Sequence, residues 1–282
     1  MFSLQYNITF LSLLFAVLSL ISSVSSQPSY IKHYCNPTTE TTNPTNEAAN
    51  ATYQSNLTAL LNSLSSKASQ NYSFYNESSN IGIYSLYLCR GDVSNSTCQS
   101  CISFATQDIT TRCPSYKSAI IWYDQCMLRY SDANFFGQAQ TSPLLLMWNL
   151  QNTSSPDQEN LFARSQLGSL IAGANKTDML FSTANQTQNI DGNASATGYG
   201  LVQCTRDIDG DSCTECLSVL LNTSQKCCES KIGWRISGPN CFLRYEAYSF
   251  TEPPPPSPQL QPPQSQPVPV APPPLPDDNG IS

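Results

Sequence analysis

Cys89-Arg-Gly-Asp-Val-Ser-Asn-Ser-Thr-Cys98-Gln-Ser-Cys101 has a second copy in Cys204-Thr-Arg-Asp-Ile-Asp-Gly-Asp-Ser-Cys213-Thr-Glu-Cys216, so the spacing C-x8-C-x2-C occurs twice. The offset from 89 to 204 holds for all three cysteines, and also relates Cys113 to Cys228 and Cys126 to Cys241. Around them YSLYLC (Tyr84 to Cys89) returns as YGLVQC (Tyr199 to Cys204), and Leu128-Arg-Tyr130 returns as Leu243-Arg-Tyr245. Five cysteines in fixed register, with like neighbours, describe two tandem copies of one small domain. Each copy is long enough for a modest core of its own, to which crosslinks add stability.

Outward from the repeat, the N-terminal flank carries an apolar run from Phe10 to Ile21, followed by the small residues Ser22 to Ser26. The run is short for a membrane span and reads as a secretory signal over 1–26; a retained anchor is the alternative, since no Lys or Arg precedes it. Export makes the twelve cysteines crosslinks rather than metal or redox ligands. Beyond the signal segment, ten N-x-Ser/Thr triplets, at Asn50, Asn56, Asn71, Asn76, Asn95, Asn152, Asn175, Asn185, Asn193 and Asn222, mark a glycosylated surface. With 13 basic residues and a net charge of −7, the chain has no basic face for phosphates, which argues against nucleic acid.

Periodicity supplies the elements. Leu57, Leu60, Leu61 and Leu64 form one apolar helical face within a helix over 53–68, and a second helix runs from Ser96 to about Thr110. Ile81, Ile83 and the Tyr84 to Leu88 run, Ala119 to Tyr123 and Met127 to Tyr130 read as strands. The second copy repeats the order, with strands at Leu144 to Trp148, Met179 to Ser182, Gly198 to Cys204, Gly233 to Ile236 and Phe242 to Tyr248. Its helices are Asp157 to Ala172 and Ser212 to Asn222. Strands mixed in sequence with helices indicate an α+β fold rather than a parallel sheet.

The domains are expected at 27–135 and 144–250, joined by a linker at 136–143. Residues 251–282 form a Pro-rich tail with Pro253 to Pro256 and Pro272 to Pro274, read as a solvated polyproline-like stalk or a ligand for aromatic grooves. No apolar stretch follows it, so no membrane span is expected at the end of this sequence.

The double C-x8-C-x2-C register resembles the plant cysteine-rich repeat family, whose unit is the ginkbilobin-2 homologous domain. Two tandem units after a signal are similar to its secreted members and to the ectodomains of cysteine-rich receptor-like kinases, over roughly residues 30 to 250. The resemblance implies an antiparallel sheet with two helices packed on it in each disulfide-stapled domain. It also implies a pairing of Cys35–Cys113, Cys89–Cys98 and Cys101–Cys126, then Cys204–Cys213 and Cys216–Cys241. The second copy departs from the pattern: Leu150 stands where Cys35 would recur, and Cys228 has an extra neighbour, Cys227. Parity points to a Cys227–Cys228 bond, with two free thiols or an intermolecular bridge as alternatives. Zinc is disfavoured, because each copy has one C-x2-C and the chain one histidine, His33.

That lone histidine leaves no base for a Ser-His-Asp or Cys-His mechanism, so a non-enzymatic, cofactor-free protein is expected. Asp207, Asp209 and Asp211 suggest a calcium loop, but Ser212 stands where glycine is needed and Ser218 where glutamate is needed; an acidic turn ahead of a helix accounts for them better. The family's founding seed protein binds mannose through an asparagine, an arginine and a glutamate at fixed offsets from cysteines. Carried over by position, the first copy keeps Asn36 but has Ile120 and Ser131, and the second keeps Arg235 and Glu246 but lacks the asparagine. Arg235 and Glu246 read equally as a reduced sugar site or as a cross-strand ion pair. Trp148 and Trp234 read as core, or as lining a domain junction or partner surface.

The resemblance thus implies a secreted binding protein of the plant apoplast, in defence or stress signalling. Its expected partner is a cell-wall or microbial glycan or a cell-surface receptor protein. A truncated receptor-kinase ectodomain acting as a decoy and a mannose-binding antifungal protein are the alternatives.

Overall fold

The computed structural model describes residues 27–39, 47–190 and 194–252; the signal segment, residues 253–282 of the Pro-rich tail and Asn193 lie outside them. In the first copy the order is β1 (Tyr30–Cys35), α1 (Glu47–Ser69), β2 (Phe74–Ser78), β3 (Tyr84–Cys89), α2 (Asn95–Arg112), β4 (Ser118–Tyr123) and β5 (Cys126–Ser131). The second copy holds β6 (Leu145–Trp148), α3 (Pro156–Ala174), β7 (Phe181–Ile190), β8 (Ala194–Cys204), α4 (Gly210–Cys227), β9 (Gly233–Ser237) and β10 (Cys241–Glu246). Each copy forms one antiparallel five-stranded sheet, ordered β1-β4-β5-β3-β2 and β6-β9-β10-β8-β7.

The apolar helical face of α1 buries Leu57, Leu60, Leu61 and Leu64 against Tyr87, Ile121, Leu128 and Tyr130 of the sheet. In the second copy Leu167 and Leu170 of α3 and Leu217 and Leu220 of α4 cover Val202, Ile236 and Leu243. Successive strand residues point to opposite faces, and here both faces are covered. Leu86, Leu88, Ile120, Trp122 and Met127 point away from the helices into a third buried cluster. That cluster also takes Phe135 of the connection and Leu145 of β6, with Phe242 of β10 packed against it. All six residues of β5 are buried. The two sheets therefore meet face to face, with the helices outside. Burial on both faces explains why these strands read as continuous apolar runs rather than as alternations.

The repeated cysteine spacing is the geometry of a double staple. Cys89 and Cys126 are register partners on adjacent strands. Cys98 and Cys101, one turn apart on α2, reach them as Cys89–Cys98 and Cys101–Cys126. Cys204–Cys213 and Cys216–Cys241 repeat this on α4. Cys35–Cys113 ties the edge strand β1 to the end of α2. The second copy has no such tie: Leu150 is 91% exposed, and Cys227 and Cys228 are bonded to each other with Cα atoms 3.8 Å apart. Among the described residues no cysteine is free.

Several expected boundaries move. β1 and β2 were not anticipated, and β7 extends to Ile190 rather than stopping at Ser182. Each is an edge strand, and β2 and β7 interrupt their strand formers with Asn76, Glu77, Asn185 and Asn189, whose strand propensity is low. Ile81 falls in the turn before β3. The acidic run is a helix cap: the Asp209 carboxylate accepts the Ser212 N–H at 2.8 Å.

Candidate functional site at the domain junction

Arg235 and Glu246, the charged pair singled out by sequence, lie on β9 and β10 but not opposite each other. The register pairs Arg235 with Arg244 and Glu246 with Gly233. Instead of forming a mutual ion pair, each is engaged elsewhere. Arg235 Nη1 donates to Oδ1 of Asp124, at 2.5 Å, in the turn between β4 and β5 of the other domain. Glu246 accepts from Arg244 Nε at 2.9 Å, and its carboxylate lies over Gly233, where any Cβ would collide with it.

Asp124 is the centre of the arrangement. Its carboxylate also accepts from Arg244 Nη1 and from Arg90 Nη1, both at 3.0 Å, and Arg90 in turn holds Asp92 through Nε at 2.6 Å. Three guanidinium groups thus face three carboxylates, with the Arg90 and Arg244 side chains only 5% and 7% exposed. Such burial is tolerable because every charge has a partner. The segment after β10 closes over the group. Phe250 stacks 4.0 Å from the Arg244 guanidinium, and the Glu252 carboxylate accepts from Ser94 N–H at 2.8 Å, at the cap of α2.

Away from the charges, the junction uses amides. Gln203 donates from Nε2 to the Cys89 carbonyl and accepts the Gly91 N–H, spanning the two sheets. Trp122 Nε1–H donates to the Gly238 carbonyl, and Asn240 Oδ1 accepts the Gln140 N–H. Arg129, the first-copy counterpart of Arg244, stacks 3.9 Å from Phe135, and burial pulls its guanidinium down to about 10.

The cavity left between the sheets, lined by Trp122, Met127, Phe242 and Arg235 among others, measures about 40 Å³. That is the space of one or two waters, at ~30 Å³ each, and far below the ~300 Å³ at which small-molecule sites begin. Of the first-copy positions, Ile120 is buried in the junction cluster and Ser131 caps the Ala133 N–H. Asn36 closes its own turn onto Thr38. The structure thus brings Arg235 and Glu246 to the junction and leaves Asn36 outside it. Trp234 is core, its ring tilted against that of Tyr245, whereas Trp148 is 46% exposed. His33 bonds Tyr30 and comes near Cys35 and Cys113, whose sulfurs, joined to each other, offer no thiolate.

Sequence reasoning missed Asp124, Arg90 and Arg244. The usable signal was the arginine in Leu-Arg-Tyr of both copies, a cation inside an apolar strand, which demands a buried partner.

Burial by itself raises the Asp124 carboxyl, but Arg90, Arg244 and Arg235 together outweigh it and hold the group below its ordinary 3.8. A carboxylate depressed on folding contributes stability that is present above its unfolded pKa and lost as pH falls through the folded one. The unfolding midpoint is therefore expected to be flat above pH ~5 and to drop on acidification below ~4, with a shallower drop in Asp124→Asn. Scanning calorimetry against pH checks this.

A family model described as salt stress response/antifungal matches residues 34–133 and 149–248. The chain belongs to the salt stress response/antifungal family. Its two copies are the two ginkbilobin-2-like domains of that family, and it is a secreted cysteine-rich protein related to receptor-kinase ectodomains. It is 37% identical to the antimicrobial ginkbilobin-2-like protein of Castanea crenata, over 71% of this chain and 82% of that one. With cysteine-rich repeat secretory protein 38 of Arabidopsis thaliana it shares 36% identity, over 71% and 79%. With cysteine-rich receptor-like protein kinase 25 of Arabidopsis thaliana it shares 35%, over 82% of this chain but only 34% of the kinase. In fold it is similar to the tandem DUF26 ectodomain of the Arabidopsis thaliana cysteine-rich receptor-like protein PDLP8. The TM-score is 0.60 at 22% identity, covering 77% of this chain and 98% of that one.

Proposed function

We propose that this member of the family is a non-enzymatic recognition module of the extracellular space that engages the ectodomain of a cell-surface protein in defence or stress signalling. The observation that supports a protein partner is the edge strand β6. Leu146, Met147 and Trp148 on it, and Leu144 and Leu150 beside it, are all at least 36% exposed. Among the described residues β6 pairs with β9 alone, so its outer backbone groups face no other described strand. Natural edge strands are usually guarded by charge or by a covering element, yet residues 144–155 contain no Asp, Glu, Lys or Arg. An apolar, uncharged edge of this kind suits addition of a partner strand, with side-chain anchors on either face.

The carbohydrate alternative at Arg235 and Glu246 requires a sugar to displace Asp124 and Arg244 from a junction with about 40 Å³ of free space. The lone His33, hydrogen-bonded to Tyr30, supports a non-catalytic role.

Surface plasmon resonance of the secreted protein against ectodomains of cysteine-rich receptor-like kinases tests the proposal. The double variant Leu146→Ala/Trp148→Ala is expected to weaken binding about 30-fold, as for a ~2 kcal/mol hot spot, with little change in unfolding midpoint. Binding that survives this substitution unchanged refutes the assignment to β6.

A further inference from the structure

A second concavity, of about 320 Å³, opens beside the first turn of α4. Its wall includes Asn175, Lys176 and Thr177 after α3, Leu180 ahead of β7, Arg206 and Gly210. The volume lies at the lower end of the range for small-ligand sites, ~300–1,000 Å³. Asn175-Lys-Thr177 is also one of the ten glycosylation triplets, and all three of its residues line the concavity. We propose that Asn175 carries an N-linked glycan whose first N-acetylhexosamine is seated in this concavity, against Leu180 and the Arg206 side chain.

The local chain is shaped for this. A Cβ at Gly210 would overlap Asn175 Oδ1, so glycine at the first position of α4 is what allows the asparagine amide to lie against that helix end. The residue remains exposed, as attachment of a sugar requires. Attachment forms the bond from Nδ2 to the anomeric carbon of a lipid-pyrophosphate-linked oligosaccharide. The amide gives up a proton and the lipid pyrophosphate leaves. Thr177, the third residue of the triplet, is fixed by donating to the Ala174 carbonyl and accepting the Phe181 N–H.

Arg206 supplies the polar wall. Its Nη2 donates to Ser73 Oγ of the first domain at 2.7 Å, Nη1 contacts Met179 Sδ, and the guanidinium lies 5.2 Å from the Phe74 ring centroid. Among the described residues no carboxylate is within ion-pair distance of it, and its Nε has no acceptor. A sugar, dense in oxygen acceptors, suits such a wall. Affinity need not be high: a short tether gives an effective concentration of the order of millimolar, so a contact of ~0.1 mM keeps the sugar seated about nine-tenths of the time. Because Arg206 also reaches the first domain, a seated sugar covers one end of the domain junction.

The test uses the secreted glycoprotein from a host that leaves high-mannose glycans, digested natively with endoglycosidase H and mapped by glycopeptide mass spectrometry. The Asn175 glycan is expected to be cleaved about tenfold more slowly than those at the exposed Asn95 and Asn185, the ratio set by an unseated fraction of about one tenth. The difference should vanish after denaturation, and Arg206→Gln should narrow it in the native protein. An unmodified Asn175, or cleavage at the same rate as Asn95, overturns the proposal. Should Arg206→Gln fail to be secreted, Leu180→Ala serves as the second variant with the same readout.

Discussion

Asp124→Ala lowers the unfolding midpoint by roughly 10 °C, and the single transition separates into two. The substitution leaves Arg90, Arg235 and Arg244 converging on an empty centre. Breaking a buried charge arrangement by removing one partner costs ~3–5 kcal/mol. Asp124 is 25% exposed, so water recovers part of this and about 3 kcal/mol is the better figure. For a chain of this size each kcal/mol shifts the midpoint by ~2–4 °C. The splitting follows because the carboxylate binds Arg90 of its own domain and two arginines of the other. Scanning calorimetry reads both effects. Asp124→Asn, which keeps the shape and some hydrogen bonding, should fall between wild type and alanine.

The second large effect separates two disulfides that look alike in a cysteine count. Cys35–Cys113 joins residues 78 apart, whereas Cys227–Cys228 joins neighbours. On loop-closure entropy the first contributes about 4 kcal/mol and the second under ~1 kcal/mol. Cys35→Ser/Cys113→Ser should therefore destabilise the first domain, free β1 at its sheet edge and open limited proteolysis near residue 36. Cys227→Ser/Cys228→Ser should leave the midpoint within a few degrees of wild type. Circular dichroism melts of the two double variants, run side by side, check the ordering.

Much of the fold was legible because its determinants repeat. The C-x8-C-x2-C spacing encodes two staples from one helical turn to two paired strands, and the leucines of α1 carry a helical period. Edge strands were harder to read. Most of β7 and the second half of β2 are polar, and both pair through backbone hydrogen bonds that leave little trace in side-chain pattern. The site was half legible. Arg235 and Glu246 could be picked out, but their partners could not, since Asp124 lies 111 residues from Arg235 in sequence and meets it only when the sheets stack. An arginine in a strand announces that it needs an acceptor; it does not say which domain provides one.

Titration of the intact secreted protein with mannose and a mannan oligosaccharide, followed by calorimetry, tests the central claim most directly: that the retained charged pair now serves the junction rather than a sugar. The account predicts no saturable heat for the wild-type protein, and a lowered unfolding midpoint for Arg235→Ala. Saturable mannose binding that Arg235→Ala abolishes while leaving the unfolding midpoint unchanged would contradict it.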